Sequence, residues 1–365
     1  KIIWSELFPT RQSVFIFITY MSLFVNQGIL VTASQNSDNS YKYNTVTLVL
    51  LTEVCKLIIS AVLYCREHTF HSLIANVIKG ANILLLYFVP AFLYCLYNNL
   101  AFINLATFDP TTYYLLLQLR VVITGILFQI IFKKYLSRKQ WLSLMLLTIG
   151  CMMKQFNFSQ SEAVVSVTSE SPIDNIASRK NMNGLDFSLS AIFILMQTVC
   201  SCLAGVYNEY LLKQKGAEVN IYIQNIFMYL DSIVCNCLVL FLQGNLVSAF
   251  EFDNLREIFR FNVLIIMINN AAVGIITSFF LKHMNSILKT FASALELLFT
   301  AVFAYLLFSI PIYLNTILAI FIVSYSIYLY SQSPVVNLGA VAKSSKDDES
   351  RKVLIDDYDL EMEDV

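Results

Sequence analysis

Arg120 stands in the middle of YYLLLQLRVVITGILF, Tyr113 to Phe128, which reads as lipid-soluble apart from Gln118 and Arg120 itself. A charge at the centre of a membrane helix costs roughly 2.5 to 3.5 kcal/mol on insertion scales, so a chain that keeps one has an ion or a partner for it. No acidic residue lies three or four positions away, and the arginine's face runs Tyr113, Leu117, Arg120, Thr124. A second cation, Lys289, sits in Ser286, Lys289, Ser293, Glu296, Thr300, a polar stripe at helical spacing. A third stripe is Tyr222, Asn225, Tyr229, Ser232 and Asn236, bordered by Asp231, and its aromatics and amides suit a planar hydrogen-bonding ligand. Glu53 and Lys56, three apart, can neutralise each other on one helix face, which fits a structural ion pair and a binding site equally. Polar side chains also glue membrane helices together, contributing on the order of 0.6 kcal/mol apiece, so one stripe alone decides nothing. Three stripes and two isolated cations predict a water-filled central cavity in which Arg120 grips phosphate in bidentate fashion and Lys289 supplies a point charge. The expected ligand is anionic and carries a ring.

The elements that must position these residues are membrane spans. Of the 365 residues 57% are apolar and 13% charged, against about a quarter charged in soluble domains. Stretches of about 20 apolar residues predict ten spans, near 12–33, 45–65, 80–104, 110–132, 140–156, 187–212, 220–243, 261–281, 286–308 and 312–332. The runs are continuous rather than alternating, which selects helix over barrel strand and an all-α membrane protein. The eight cysteines fall in or at the ends of spans without Cys-x-x-Cys pairs, so they read as packing residues, and neither a metal nor a cofactor is expected. No nucleophile motif and no histidine within a span is present, which argues against an enzyme, and no basic stripe suits nucleic acid.

Ten spans place both termini on one side, and the basic residues of the short loops put that side in the cytosol. Residues 157–186 are rich in Ser, Asn and Glu and are expected to form a lumenal linker between the halves 12–156 and 187–332 of one transporter domain, 1–332. Two five-span halves lie in opposite orientations, the inverted-repeat plan; Asn98-Asn99 and Asn269-Asn270 occupy matching places in the third and eighth spans. The sequon at Asn157 falls on the lumenal side as a weak glycosylation candidate. Ser248 to Arg260 reads as an interfacial helix. Residues 333–365, with nine acidic and four basic residues, read as a disordered acidic cytosolic tail.

The segments LTEVCKLIIS (51–60), YNNLAF (97–102), LLLQLR (115–120), RKQW (138–141), GVYNEYLLK (205–213), QNIFMYLD (224–231) and ITSFFLKHMNSILKTFAS (276–293) resemble, in order, the signatures of the nucleotide-sugar transporter family. The likeness is greatest to the subfamily of CMP-sialic acid, UDP-galactose and UDP-N-acetylglucosamine carriers, and within it to the branch described as probable UDP-sugar transporters. The resemblance implies a ten-helix drug/metabolite-transporter fold with a 5+5 inverted repeat, in Golgi membrane, exchanging cytosolic nucleotide sugar for lumenal nucleoside monophosphate. It implies that Glu53 and Lys56 line the cavity, that Tyr94 and Asn98 lie near the nucleotide, and that Tyr113 and Arg120 stand where the family has a tyrosine and a phosphate-binding lysine. Asn225 and Tyr229 then match base or ribose contacts, Thr277 and Ser278 hydroxyl donors, and Lys289 the second cation. The chain departs from the family pattern at Arg120, at Tyr97, at Gln224 in place of an arginine, at Asp231 in place of a small hydroxyl residue, and in Ala271-Ala272-Val273-Gly274.

The mechanism expected is alternating-access antiport of UDP-sugar and UMP, in which the anionic ligand neutralises Arg120 and Lys289 while the site moves through an occluded state. One alternative is a non-transporting scaffold or regulator of Golgi glycosylation complexes, bound to glycosyltransferases or to other nucleotide-sugar transporters as a homo- or hetero-oligomer. Another is a transporter of a different organic anion.

Overall fold

Twelve helices follow one another in the structure, a computed structural model that describes residues 7–8, 10–34, 45–107, 110–155, 184–244, 250–251, 255–256, 258–308 and 314–335. They are α1 (Arg11–Ser34), α2 (Thr45–Cys65), α3 (Phe70–Lys79), α4 (Ala81–Thr107), α5 (Pro110–Leu117), α6 (Arg120–Phe132), α7 (Arg138–Gln155), α8 (Gly184–Tyr210), α9 (Ile221–Leu242), α10 (Phe261–His283), α11 (Ser286–Phe308) and α12 (Leu314–Ser331). A π turn, Leu211–Lys215, continues α8. Among the described residues no strand occurs, and eight stretches are long and apolar enough to cross a membrane: those of α2, α4, α5 with α6, α8, α9, α10, α11 and α12. The chain is therefore an all-α, multi-pass membrane protein. Asn157, most of the expected linker, the tail beyond residue 335 and much of 245–257 lie outside the described residues.

Two local features differ from the sequence expectation. The fourth span is two segments rather than one, because the turn at Gln118-Leu119 tightens to i→i+3 bonds: Gln118 N–H donates to Leu115 O and Leu119 N–H to Leu116 O, both at 3.1 Å. Arg120 therefore heads α6 instead of lying in mid-helix. Between the second and third spans the chain forms α3, capped by the Thr69 hydroxyl, which accepts from Ser72 N–H. Phe70, Ile74 and Ile78, at spacing four, are exposed along it, the stripe of a helix lying in a membrane interface.

α12 packs along α7, α8 along α4 and α6, α9 between α2 and α4, α10 against α1 and α2, and α11 against α1. The largest apolar cluster joins Tyr20 of α1, Phe128 of α6, Leu144 of α7, Phe280 of α10, Phe291 of α11 and Tyr330 of α12, with ring centroids 4.5 Å apart for Tyr20–Phe280 and 4.4 Å for Phe291–Tyr330. Because lipid tails are as apolar as leucine, contact between helices in a membrane depends on close packing and interhelical hydrogen bonds rather than on transfer from water. Amide pairs supply the latter: Asn26 donates to Asn269 at 2.9 Å and Asn104 to Gln197 at 2.6 Å. Gln224 is fully buried, accepts from the Tyr87 hydroxyl at 2.6 Å and donates to Gly216 O and Val219 O at 2.8 and 2.9 Å. Both ends of this amide are thus engaged in tying α9 to α4 and to the loop after α8.

Candidate functional site

Arg120 and Lys289 face one chamber. Its walls are Tyr94 of α4, Arg120 and Thr124 of α6, Ser201, Cys202, Gly205 and Val206 of α8, and Ser286, Lys289, Thr290 and Ser293 of α11. Its volume is about 110 Å³, room for several water molecules at roughly 10–15 Å³ each. The polar stripe of α11 meets the chamber because Ser286, Lys289 and Ser293 recur at three and four residues, one face of a helix. Arg120 reaches it from the first turn of α6, whose backbone is held to α8 by the Cys202 thiol donating to Arg120 O at 3.3 Å. Among the described residues neither Arg120 nor Lys289 takes part in an ion pair. Two cations that share a cavity without an intimate counter-ion repel each other, and an anion between them relieves that repulsion.

A second polar cluster lies between α2, α9 and α10. Lys56 Nζ and Glu53 Oε1 are 2.5 Å apart, and the ammonium lies 5.0 Å from the centroid of the Tyr229 ring, a cation–π arrangement. The stem of Lys56 crosses α10 at Gly274, through the space that a Cβ there would occupy. Tyr229 Oη is buried beside the Ser278 hydroxyl, and Asn225 Nδ2, one turn earlier on α9, is buried without a hydrogen-bond partner among the described residues. Ser278 is buried near them, whereas the Thr277 hydroxyl donates to Val273 O of its own helix at 2.7 Å.

The structure thus brings Tyr94, Arg120 and Lys289 onto the chamber and groups Glu53, Lys56, Asn225, Tyr229 and Ser278 in the second cluster. Asn98 is exposed, one turn beyond Tyr94. Tyr113 is buried and its hydroxyl accepts from Gln197 Nε2 at 2.8 Å, away from both groups. The small residues of α8 on the far wall, Ser201 to Gly205, carry no sequence signal that separates them from helix packing.

At one end of the chamber stands a buried clasp. Glu209 Oε1 pairs with Lys213 Nζ at 2.7 Å, their side chains 1% and 4% exposed. The other carboxylate oxygen accepts from Ser286 N–H at 2.7 Å and from the Ser286 hydroxyl, and Lys213 donates also to Met284 O. The carboxylate therefore caps the N-terminus of α11, where a negative charge is favoured, and joins α8 to the α10–α11 turn. The i,i+4 spacing of Glu209 and Lys213 is visible in the sequence, but Ser286, 77 positions away, is not.

Comparison with known proteins completes the picture. A family model described as nucleotide-sugar transporter matches residues 11–331. The UDP-galactose transporter senju of Drosophila melanogaster is 68% identical over 352 residues, covering 93% of this chain and 91% of that protein. CMP-sialic acid transporter 1 of Oryza sativa subsp. japonica is 30% identical over 309 residues, 84% of this chain and 89% of its own, and the protein of that name from Arabidopsis thaliana is 29% identical over 325 residues, 88% and 90%. A solved structure described only as a crystal structure of a protein superposes with a TM-score of 0.58 over 88% of this chain and 96% of its own, at 11% identity, a likeness of fold alone.

Proposed function

Because the chain belongs to the nucleotide-sugar transporter family, we propose that it exchanges a UDP-sugar for UMP across the Golgi membrane by alternating access. The observation that carries this reading is the meeting of Arg120 and Lys289, from the two halves of the chain, on one chamber without an ion-pair partner among the described residues. Phosphates bound there neutralise both cations, and the loaded site then moves through the membrane at lower cost than the empty one. UDP-galactose is the first sugar nucleotide to test, since it is named for the 68% identical relative. Asn225, Tyr229 and Ser278, with the Glu53–Lys56 pair, are assigned to the base and ribose; Thr277, Asn98 and Tyr113 are given no ligand contact.

The architecture assigned to the transporter is ten spans in two inverted halves, α1 and α7 supplying the two beyond the eight apolar stretches, with both termini cytosolic. Packing supports it. Exchanging α1, α2, α4, α5–α6 and α7 for α8, α9, α10, α11 and α12 turns the α4–α8 contact into α10–α1, α4–α9 into α10–α2, and α6–α8 into α11–α1, while α2–α9 and α7–α12 map onto themselves. Two rigid halves related in this way can rock about a central site.

A UDP-sugar carries about two negative charges and UMP about 1.5 to 2 near neutral pH, so exchange is close to electroneutral. Proteoliposomes preloaded with UMP are expected to take up labelled UDP-galactose many times faster than empty ones; uptake indifferent to internal UMP would remove the exchange mechanism. Gly274→Ala tests the second cluster. The added methyl displaces Lys56 from Tyr229, and since a partly desolvated cation–π contact contributes about 0.5–2 kcal/mol, the KM for nucleotide sugar should rise roughly twofold to thirtyfold while the maximal rate changes less.

A further inference from the structure

Glu296 is a carboxylate beside the chamber that phosphate binding leaves unused. It follows Lys289 and Ser293 on one face of α11, about 10 Å along the axis from Lys289 at 1.5 Å per residue. From α1, the Tyr20 phenol is fully buried and brings its hydroxyl to this face of α11. That hydroxyl sits beside Ser293 and within electrostatic reach of Glu296, Arg120 and Tyr94. Lys289 and Ser293 are chamber walls, so Glu296, next on their face of α11, lies one turn past the lining. The cations whose fields reach its carboxylate are Arg120 and Lys154.

A ligand whose phosphates rest on Arg120 and Lys289 extends its next group beyond them along a chamber wall. On the nucleotide-sugar reading that group is the sugar, and we propose that Glu296, with Tyr20, selects it: the carboxylate accepts hydrogen bonds from hydroxyls of a neutral hexose and disfavours a sugar bearing its own carboxylate. An ionised carboxylate offers about four lone-pair sites, so a lysine or arginine on one side leaves capacity for two ring hydroxyls on the other. The Tyr20 hydroxyl, beside that of Ser293, adds a further donor or acceptor. A carboxylated sugar replaces a donating hydroxyl with a like charge, which such a site rejects by repulsion.

Uptake of UDP-galactose and of UDP-glucuronic acid into UMP-loaded proteoliposomes, as a ratio of kcat/KM values, tests this in wild type, Glu296→Gln and Glu296→Asp. Wild type should favour the neutral sugar. Glu296→Gln should narrow the ratio by roughly tenfold or more, as repulsion between like charges a few ångström apart implies, chiefly by improved handling of the acidic sugar. Glu296→Asp, which keeps the charge, should preserve the discrimination even if its yield is lower. An unchanged ratio in Glu296→Gln, with UDP-galactose still carried, overturns the selectivity role and leaves the transport reading intact. Failure of wild type to carry either nucleotide sugar overturns both.

Discussion

Arg120→Ala and Lys289→Ala are each expected to lower UDP-sugar uptake into UMP-loaded proteoliposomes by about 30-fold to 4,000-fold, with no fall in melting temperature. Truncating one partner of a desolvated charge pair costs about 2–5 kcal/mol, and each 1.4 kcal/mol is a factor of ten. The loss belongs to the loaded protein alone. In the empty chamber the two cations have no ion-pair partner among the described residues and face each other across about 110 Å³, so removing one relieves repulsion and desolvation rather than breaking a contact. Arg120→Lys keeps the charge but loses the planar fork that meets phosphate with two parallel bonds, and an intermediate loss near tenfold should follow. Thermal shifts with UMP report the same ordering without transport. A variant that loses activity together with several degrees of melting temperature would instead make Arg120 a structural residue, and near-wild-type exchange in both alanine variants would end the phosphate-clamp mechanism.

The parts of this arrangement that were legible in the sequence are those with a period. Ser286, Lys289 and Ser293 announce one face of one helix, and the structure turns that face to the chamber. The tyrosines and amides of α9 are likewise periodic, and Tyr229 meets Lys56 across the helix boundary. Contacts between distant segments left no such mark. Tyr20 reads as an apolar-span aromatic until α11 is packed against α1. Nothing in Leu-Leu-Leu-Gln-Leu-Arg, which lacks both glycine and proline, signals the tightened turn that puts Arg120 at a helix start. Gln224 shows a substitution whose sense is tertiary: as a departure from the family pattern it suggests an altered ligand contact, yet its amide is held on both sides by Tyr87 and two loop carbonyls.

Glu209→Ala is expected to be the most destabilising single change, about 3–5 kcal/mol, seen as poor recovery from the membrane and a melting temperature lowered by many degrees in detergent. The cause is what it leaves behind. Lys213, 4% exposed, loses the carboxylate that neutralises it, while Ser286 N–H at the start of α11 loses the acceptor that caps it. Breaking a buried ion pair by removing one member costs about that much because an uncompensated charge remains, and the lost cap adds of order 1 kcal/mol. The double variant Glu209→Leu with Lys213→Met should therefore melt higher than Glu209→Ala, because removing both charges removes the penalty along with the pair. That reversal, a second substitution restoring stability, separates an electrostatic clasp from simple loss of packing, which would make the double variant worse than either single one. Ser286 belongs to the chamber wall and the clasp at once, so the stabilised double variant should still transport poorly, because the carboxylate that holds Ser286 at the wall is gone.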